Sequence, residues 1–232
     1  DDENNISNIS IADPYNTSDY SLVNPYSKAK VDISWIGDDK IIVKEDEKNI
    51  SGFVENNLGV VMTADGNTYR AVVGDQYAVQ SEESPDAKKT IANQSDVKNP
   101  RRLGLYLDDS EGLESLKYLG IDTLVDKCAW AKDNKIIYCG VPDFWPNNMI
   151  MPDDYRDKNF VSTDSFYKIN TETLVSELIA SSTDFDQTYD VYVDDQKNSV
   201  SNDSKIFYFK NRVDDKLYAL NIPAGLVEKK KK

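Results

Sequence analysis

The chain of 232 residues contains no histidine, and its only cysteines are Cys128 and Cys139. Without an imidazole, neither a Ser-His-Asp nor a Cys-His catalytic centre can be assembled. The same shortage argues against a zinc site, which two cysteines cannot furnish alone. No stretch reaches the roughly 18 consecutive apolar residues of a membrane-spanning helix. No signal-peptide pattern opens the chain, as would hold for a trimmed mature protein. Gly-x-Ser-x-Gly elbows, phosphate-binding glycine loops and metalloprotease helices are absent as well. Positive charge is scarce: 27 Lys and Arg stand against 41 Asp and Glu, a net charge of −14. That balance disfavours nucleic acid and anionic membrane surfaces as partners. Lys229–Lys232 is the one basic cluster and reads as a solvated tail.

What the chain does have is a phrase that recurs four times. It starts at Trp35, Glu83, Trp130 and Val200, with Asp always at the fourth place and Lys at the sixth. The starts lie 48, 47 and 70 residues apart. A strand, an Asp-centred turn and a second strand repeating every forty to fifty residues is the pattern of propeller blades. Asp can accept from backbone N–H groups of its own turn, and Asn134 tolerates the left-handed conformation that such turns need. The outgoing strands, Ile41–Val43, Ile136–Tyr138 and Ile206–Tyr208, are β-branched and aromatic. Side chains of this kind suit a sheet packed on both faces. Further strands are expected at Gly52–Glu55, Gly104–Leu107, Phe166–Ile169, Leu217–Leu220 and Thr173–Ile179. The competing architecture is a β-sandwich whose turns merely resemble one another. Trp35 and Trp130 hold the same place in the repeat and are expected in the core between blades.

These phrases resemble the Ser-Pro-Asp-Gly-Lys repeat of TolB-like and WD-type β-propellers, with Glu83–Lys89 nearest in wording. The departure is in the second blade, where Glu83 takes an apolar place and Thr90–Asn93 makes a weak strand. A longer stretch, Asp126–Pro142 with Met151–Tyr155 and Phe166–Asn170, resembles uncharacterised membrane-anchored propeller proteins of ultra-small, host-associated bacteria. The similarity runs over roughly residues 31–222. It implies an N-terminal membrane anchor and more blades than the four seen here, and it carries no biochemical activity.

The expected fold is therefore all-β: an antiparallel β-propeller of about four blades. Four blades make either a small ring or the C-terminal part of a seven- or eight-bladed one, and the abrupt polar start favours the second. Residues 1–30 read as a polar segment or partial blade, 31–222 as blades and 223–232 as a basic tail.

Cys128 and Cys139 flank the third turn and would fall on adjacent antiparallel strands, opposite or offset by one. A disulfide there would place the protein in an oxidising, extracytoplasmic compartment, at the cell surface. Two buried thiols packed as small apolar side chains are the other reading. Paired acids such as Asp38-Asp39, Asp108-Asp109 and Asp153-Asp154 sit mostly where turns favour Asp for backbone reasons. They offer weak Ca²⁺ binding at most, since no segment carries a Ca²⁺-loop pattern. No other cofactor and no metal site is expected.

The long third interval marks an insertion over 141–163. It holds three prolines and the candidate binding residues Phe144, Trp145, Met149, Met151, Tyr155 and Arg156. Aromatic and Arg side chains of this sort dominate interfaces, and loops on rigid scaffolds carry recognition. Alternatively, Phe144 and Trp145 fold back and cap their own blade. The expected function is a non-catalytic protein-recognition or scaffold module of the cell envelope with a protein partner. A carbohydrate-binding or glycoside-cleaving propeller is the alternative, with acids and aromatics converging on the central channel. A purely structural role in a surface assembly is a third reading.

Overall fold

A computed structural model describes residues 7–13, 16–26, 31–36, 40–45, 59–63, 68–72, 80–96, 99–109, 116–149, 151–194, 198–222 and 226–229. Strands β1 (Ser7–Asp13) and β2 (Asn16–Tyr26) pair with each other in a two-stranded sheet. Four four-stranded antiparallel sheets follow in chain order. The first blade is β3 (Val31–Ile36), β4 (Lys40–Glu45), β5 (Gly59–Thr63) and β6 (Thr68–Val72). The second is β7 (Gln80–Glu83), β8 (Thr90–Asp96), β9 (Asn99–Asp108) and β10 (Lys117–Asp122). The third is β11 (Cys128–Trp130), β12 (Ile136–Pro142), β13 (Asp164–Asn170) and β14 (Val175–Ala180). The fourth is β15 (Val191–Tyr192), β16 (Ile206–Asn211), β17 (Lys216–Asn221) and β18 (Leu226–Lys229). Each sheet runs in strict sequence order, strand beside next strand, which is the meander of a propeller blade.

The repeated phrase does what its residues dictate. Asp86, Asp133 and Asp203 each accept from the backbone N–H of the Lys two places on. The residue between takes φ of 59° at Ala87, 60° at Asn134 and 54° at Ser204, the left-handed conformation that a glycine would fill in the parent phrase. Successive turns also interlock, because the Asp86 N–H donates to Asn134 Oδ1 and Lys89 Nζ to the Asn134 carbonyl and Thr171 Oγ1. The first turn (37–39) and the strand expected at Gly52–Glu55 lie outside the described residues.

Alternation along β12 explains how blades stack. Ile137 and Cys139 bury against Ile91, Leu105 and Leu107 of the second blade. Tyr138, one residue out of phase, joins Phe207, Phe209 and Tyr218 of the fourth. Each such buried side chain contributes about 1.5–3 kcal/mol, so the third blade is held from both sides. Phe166 lies 5.2–6.4 Å, centroid to centroid, from Phe185, Tyr189, Phe207 and Phe209. Gly140 is required where the third and fourth blades touch, since an added Cβ would stand 2.5 Å from Val191 Cβ. Cys128 pairs directly with Cys139 across β11 and β12, and the two form a disulfide with Cα atoms 4.1 Å apart.

Three expectations need revision. Trp130 is buried with its Nε1 donating to Glu82 O of the preceding blade, but Trp35 keeps 52% of its surface exposed. Among the described residues, the element before Trp35 is the two-stranded sheet of β1 and β2, so the same repeat position has less sheet to bury against. Thr90–Asn93, read as a weak strand, is fully buried within β8, with β7 and β9 paired along both its edges. Residues 226–229, assigned to the basic tail, pair with β17 as the outer strand of the fourth blade. The long third interval also has a second source. The inner strand of the fourth blade is interrupted between the β15 pairing and an isolated bridge from Val200 to Phe207.

Candidate functional site

The β12–β13 connection leaves the blade at the end opposite the Asp-Lys turns. The β10–β11 and β14–β15 crossings and the β16–β17 turn reach the same end. The insertion therefore emerges where three blades can be touched at once, and its base is closed by the Asp143 N–H donating to Thr163 O. Both Asp143 carboxylate oxygens are taken, one by Ser165 Oγ and the other by Ser182 Oγ.

Toward the second blade, Trp145 Nε1 donates to Asp122 O at 3.3 Å, and its ring lies 6.3 Å from that of Phe160. Both pack on a small core of Leu103, Leu124, Met151 and Tyr155. Met151 and Tyr155 each expose 1% of their surface. The Met151–Pro152 peptide is cis, and Pro152 leads into the one-turn helix α1 (Asp153–Arg156). Toward the fourth blade, the Tyr155 hydroxyl lies 3.1 Å from Asp190 Oδ1 and from Val191 O. The Arg212 guanidinium sits 3.7 Å from the Tyr155 ring centroid and donates through Nη2 to Tyr155 O.

Beneath Tyr155 is a closed ionic cluster. Lys127, fully buried at the entrance to β11, places Nζ 2.7 Å from Asp164 Oδ2 and 2.6 Å from Asp190 Oδ1. It also donates to Ser162 Oγ and Val191 O. Burial disfavours the ammonium, but Asp164, Tyr155 and Asp190 outweigh burial and hold the Lys127 pKa above the ordinary lysine value. Burial pushes the Tyr155 phenol up, with Lys127 pulling against it. Burial likewise raises Asp164, again opposed by Lys127. Lys127 and Asp164 are fully covered, so this cluster binds elements together and offers no reacting group to solvent.

Two cavities flank the insertion. One, of about 660 Å³, is a groove between β10 and the start of the insertion, walled by Tyr118, Asp122, Asp143, Phe144, Trp145 and Tyr167. Asp122 Oδ1 accepts from the Tyr118 hydroxyl. The other, of about 450 Å³, lies on the α1 side and is lined by Asp126, Tyr155, Arg156, Lys158, Tyr192, Lys210, Arg212 and Asp215.

The six binding candidates are thus divided. Phe144 exposes 68% of its surface at the groove, beside half-buried Trp145. Met149 is half-buried. Met151 and Tyr155 form the floor beneath, and Arg156 faces the second cavity. Tyr118, Asp122, Lys127, Asp190 and Arg212 complete these surroundings without a local sequence signal, because each is brought in by blade packing. Among the described residues, no group of three or more acids or cysteines gathers to hold a metal ion.

Comparison with solved structures bears out the fold. A TolB-type protein from Agrobacterium tumefaciens superposes with a TM-score of 0.55 at 13% identity, covering 93% of this chain and 66% of that one. Hydrazine synthase from Kuenenia stuttgartiensis gives 0.52 at 16%, covering 79% and 50%. The acylaminoacyl peptidase of Pyrococcus horikoshii gives 0.52 at 14%, covering 87% and 32%. The fold is a β-propeller, shared with each of these proteins. This chain spans two thirds or less of the length of each of these structures. Neither the protein-family models nor the curated proteins give a match. Among the described residues, no helix is long and apolar enough to cross a membrane.

Proposed function

We propose that the chain is a non-catalytic recognition module of the cell envelope that presents its insertion to a protein partner outside the cytoplasm. The observation that carries this reading is the exposure of Phe144 at the rim of the 660 Å³ groove. The floor beneath it is fixed by Trp145, Met151 and Tyr155. An aromatic side chain held out on a preorganised surface is the kind of group that anchors interfaces. The Cys128–Cys139 disulfide supports an oxidising location.

A carbohydrate is the competing occupant, since Tyr118, Phe144, Trp145 and Tyr167 offer rings beside two carboxylates. Protein is favoured because the polar groups are already engaged. Asp143 accepts two serine hydroxyls, Asp122 accepts Tyr118, and the Trp145 indole N–H is spent on Asp122 O. The groove lies beside β10, the outer strand of its blade, rather than in the central channel where a glycoside-cleaving centre was expected.

The test is a photo-crosslinking side chain installed at position 144 and, as a control, at exposed Leu178 of β14. A discrete envelope protein joined at 144 and not at 178 is the expected result. Retention of a defined glycan on an array, lost on Trp145→Ala and with no protein crosslink, would replace the protein reading with the sugar one.

A further inference from the structure

The groove that displays Phe144 belongs to a molecule of net charge −14, and its own lining is acidic. Asp122 and Asp143 stand in its walls, and no lysine or arginine does. The lysines next in sequence to the lining pair elsewhere, Lys117 with Asp109 at 2.8 Å and Lys168 with Glu177 at 3.5 Å. Asp143 accepts from the hydroxyls of Ser165 and Ser182, and Asp122 Oδ1 from that of Tyr118. Neutral hydroxyls hold these carboxylates in place without cancelling their charge. A concave site walled in one sign of charge gathers the opposite sign from solution.

The remainder of the lining is largely aromatic, with the rings of Tyr118, Phe144, Trp145 and Tyr167. The Tyr118 ring is backed by that of Tyr106, 5.4 Å away between centroids, and Trp145 is anchored through Nε1 on Asp122 O. The space above β10 is open, since a Cβ added at Gly120 would meet nothing within 4 Å. Ring faces attract cations, so rings and carboxylates here call for the same kind of group. Lysine brings a compact and strongly hydrated charge. Guanidinium is planar and weakly hydrated, and it stacks on a ring while its N–H groups reach a carboxylate. These walls therefore match arginine.

We propose that the groove receives an arginine side chain of the protein partner. This rests on the reading that the groove meets protein, and it names the group that enters. The experiment is an NMR titration of the full chain, following the indole N–H signals of its three tryptophans. Trp145→Phe assigns the signal that belongs to the groove. The probe is an acetylated and amidated Gly-Arg-Gly-Arg-Gly peptide, compared with the same peptide carrying lysine and the same carrying citrulline, the neutral counterpart of arginine. The arginine peptide should shift the Trp145 signal to saturation, less tightly as salt rises, and leave those of Trp35 and Trp130 in place. The lysine peptide should bind more weakly, and the citrulline peptide should leave the signal unmoved.

Asp122→Asn keeps an acceptor for the Tyr118 hydroxyl and removes one charge. It should weaken arginine binding by about threefold or more, as loss of a partly exposed opposite charge does. Glu172→Gln removes the same charge at the opposite end of the third blade, where Glu172 pairs with exposed Lys135, and should leave binding unchanged. An unmoved Trp145 signal, equal binding of the citrulline or lysine peptide, or an equal loss in Glu172→Gln would overturn the assignment. A protein crosslinked at position 144 with no response to the arginine peptide would sink this inference alone and leave the recognition reading standing. A response to arginine without any crosslinked protein would do the reverse.

Discussion

Lys127 shows how one side chain can fix the relation between blades. Its ammonium is buried between Asp164 at the start of β13 and Asp190 just before β15, and it lies 4.7 Å from the centroid of the Tyr155 ring from the insertion. Removing the cation leaves Asp164 buried without its ion-pair partner and Asp190 with Arg212 alone, at 3.6 Å. Lys127→Met should therefore lower stability by about 3–5 kcal/mol, measured by denaturant unfolding. The pH dependence has a defined sign. The folded protein holds the Lys127 proton more tightly than the ordinary lysine value of 10.5. The stabilisation is accordingly complete below pH 10.5 and is lost as pH rises from there through the folded-state value. The advantage of wild type over the Met variant should stay flat from pH 7 to 10 and shrink above. An advantage already declining near neutrality would show that Lys127 is not held as the structure has it. The sequence offered little warning of this residue. A lysine between Asp126 and Cys128 looks like any solvated charge, and its partners lie 37 and 63 residues away. Asp133 was legible, by contrast, because its work is local: it accepts the N–H groups of Lys135 and Ile136 inside its own turn.

At the scale of elements, the most legible feature was the hairpin. The Asp-x-Lys phrase named the turns, and the β-branched and aromatic runs after it named where β12 and β16 begin, though both strands run three or four residues further. The two cysteines counted outward from the turn then predicted their own pairing, which the Cys128–Cys139 register bears out. That disulfide closes a short loop with a separation of 11 residues. Loop-closure entropy assigns it about 2–3 kcal/mol. Reduction, or Cys128→Ala with Cys139→Ala, should lower the melting temperature by roughly 5–10 °C for a chain of this size. Calorimetry with and without reductant reads the difference, and an unchanged melting temperature would mean that the bridge adds nothing to the third blade. What the sequence withheld at this scale was the packing of edges. The extra length between β15 and the bridge at Val200 did leave a mark, the wholly polar run 194–199, but the insertion over 141–163 already accounted for a long interval. Trp35 misled for a related reason: its repeat position was right, but a position in a repeat does not say how much wall the preceding element provides.

For the whole molecule, the repeat spacing was enough to define a propeller, while the insertion could be located but not interpreted. Binding loop and blade cap were offered as alternatives; the structure shows a capping layer of Trp145, Met151 and Tyr155 and leaves Phe144 exposed above it. The lower layer is a brace. Tyr155 packs on Leu103 and Leu124 from the second blade's side and sends its hydroxyl to Asp190 and Val191 at the fourth. The upper layer is Phe144, which keeps most of its surface open to solvent. This division predicts that stability and recognition can be changed separately. Tyr155→Phe removes one hydrogen bond to a buried charged group and should lower stability by about 1.5–3 kcal/mol, with the loss seen in the unfolding of all the blades it joins. Phe144→Ala should change stability by less than about 0.5 kcal/mol, as surface substitutions usually do. It should still abolish whatever is captured at that position. If Phe144→Ala destabilised the fold as much as Tyr155→Phe, the exposed ring would be part of the brace and the groove would lose its anchor. If neither variant altered unfolding, the insertion would be an appendage, and the link between three blades would have to be sought in the Lys127 cluster alone.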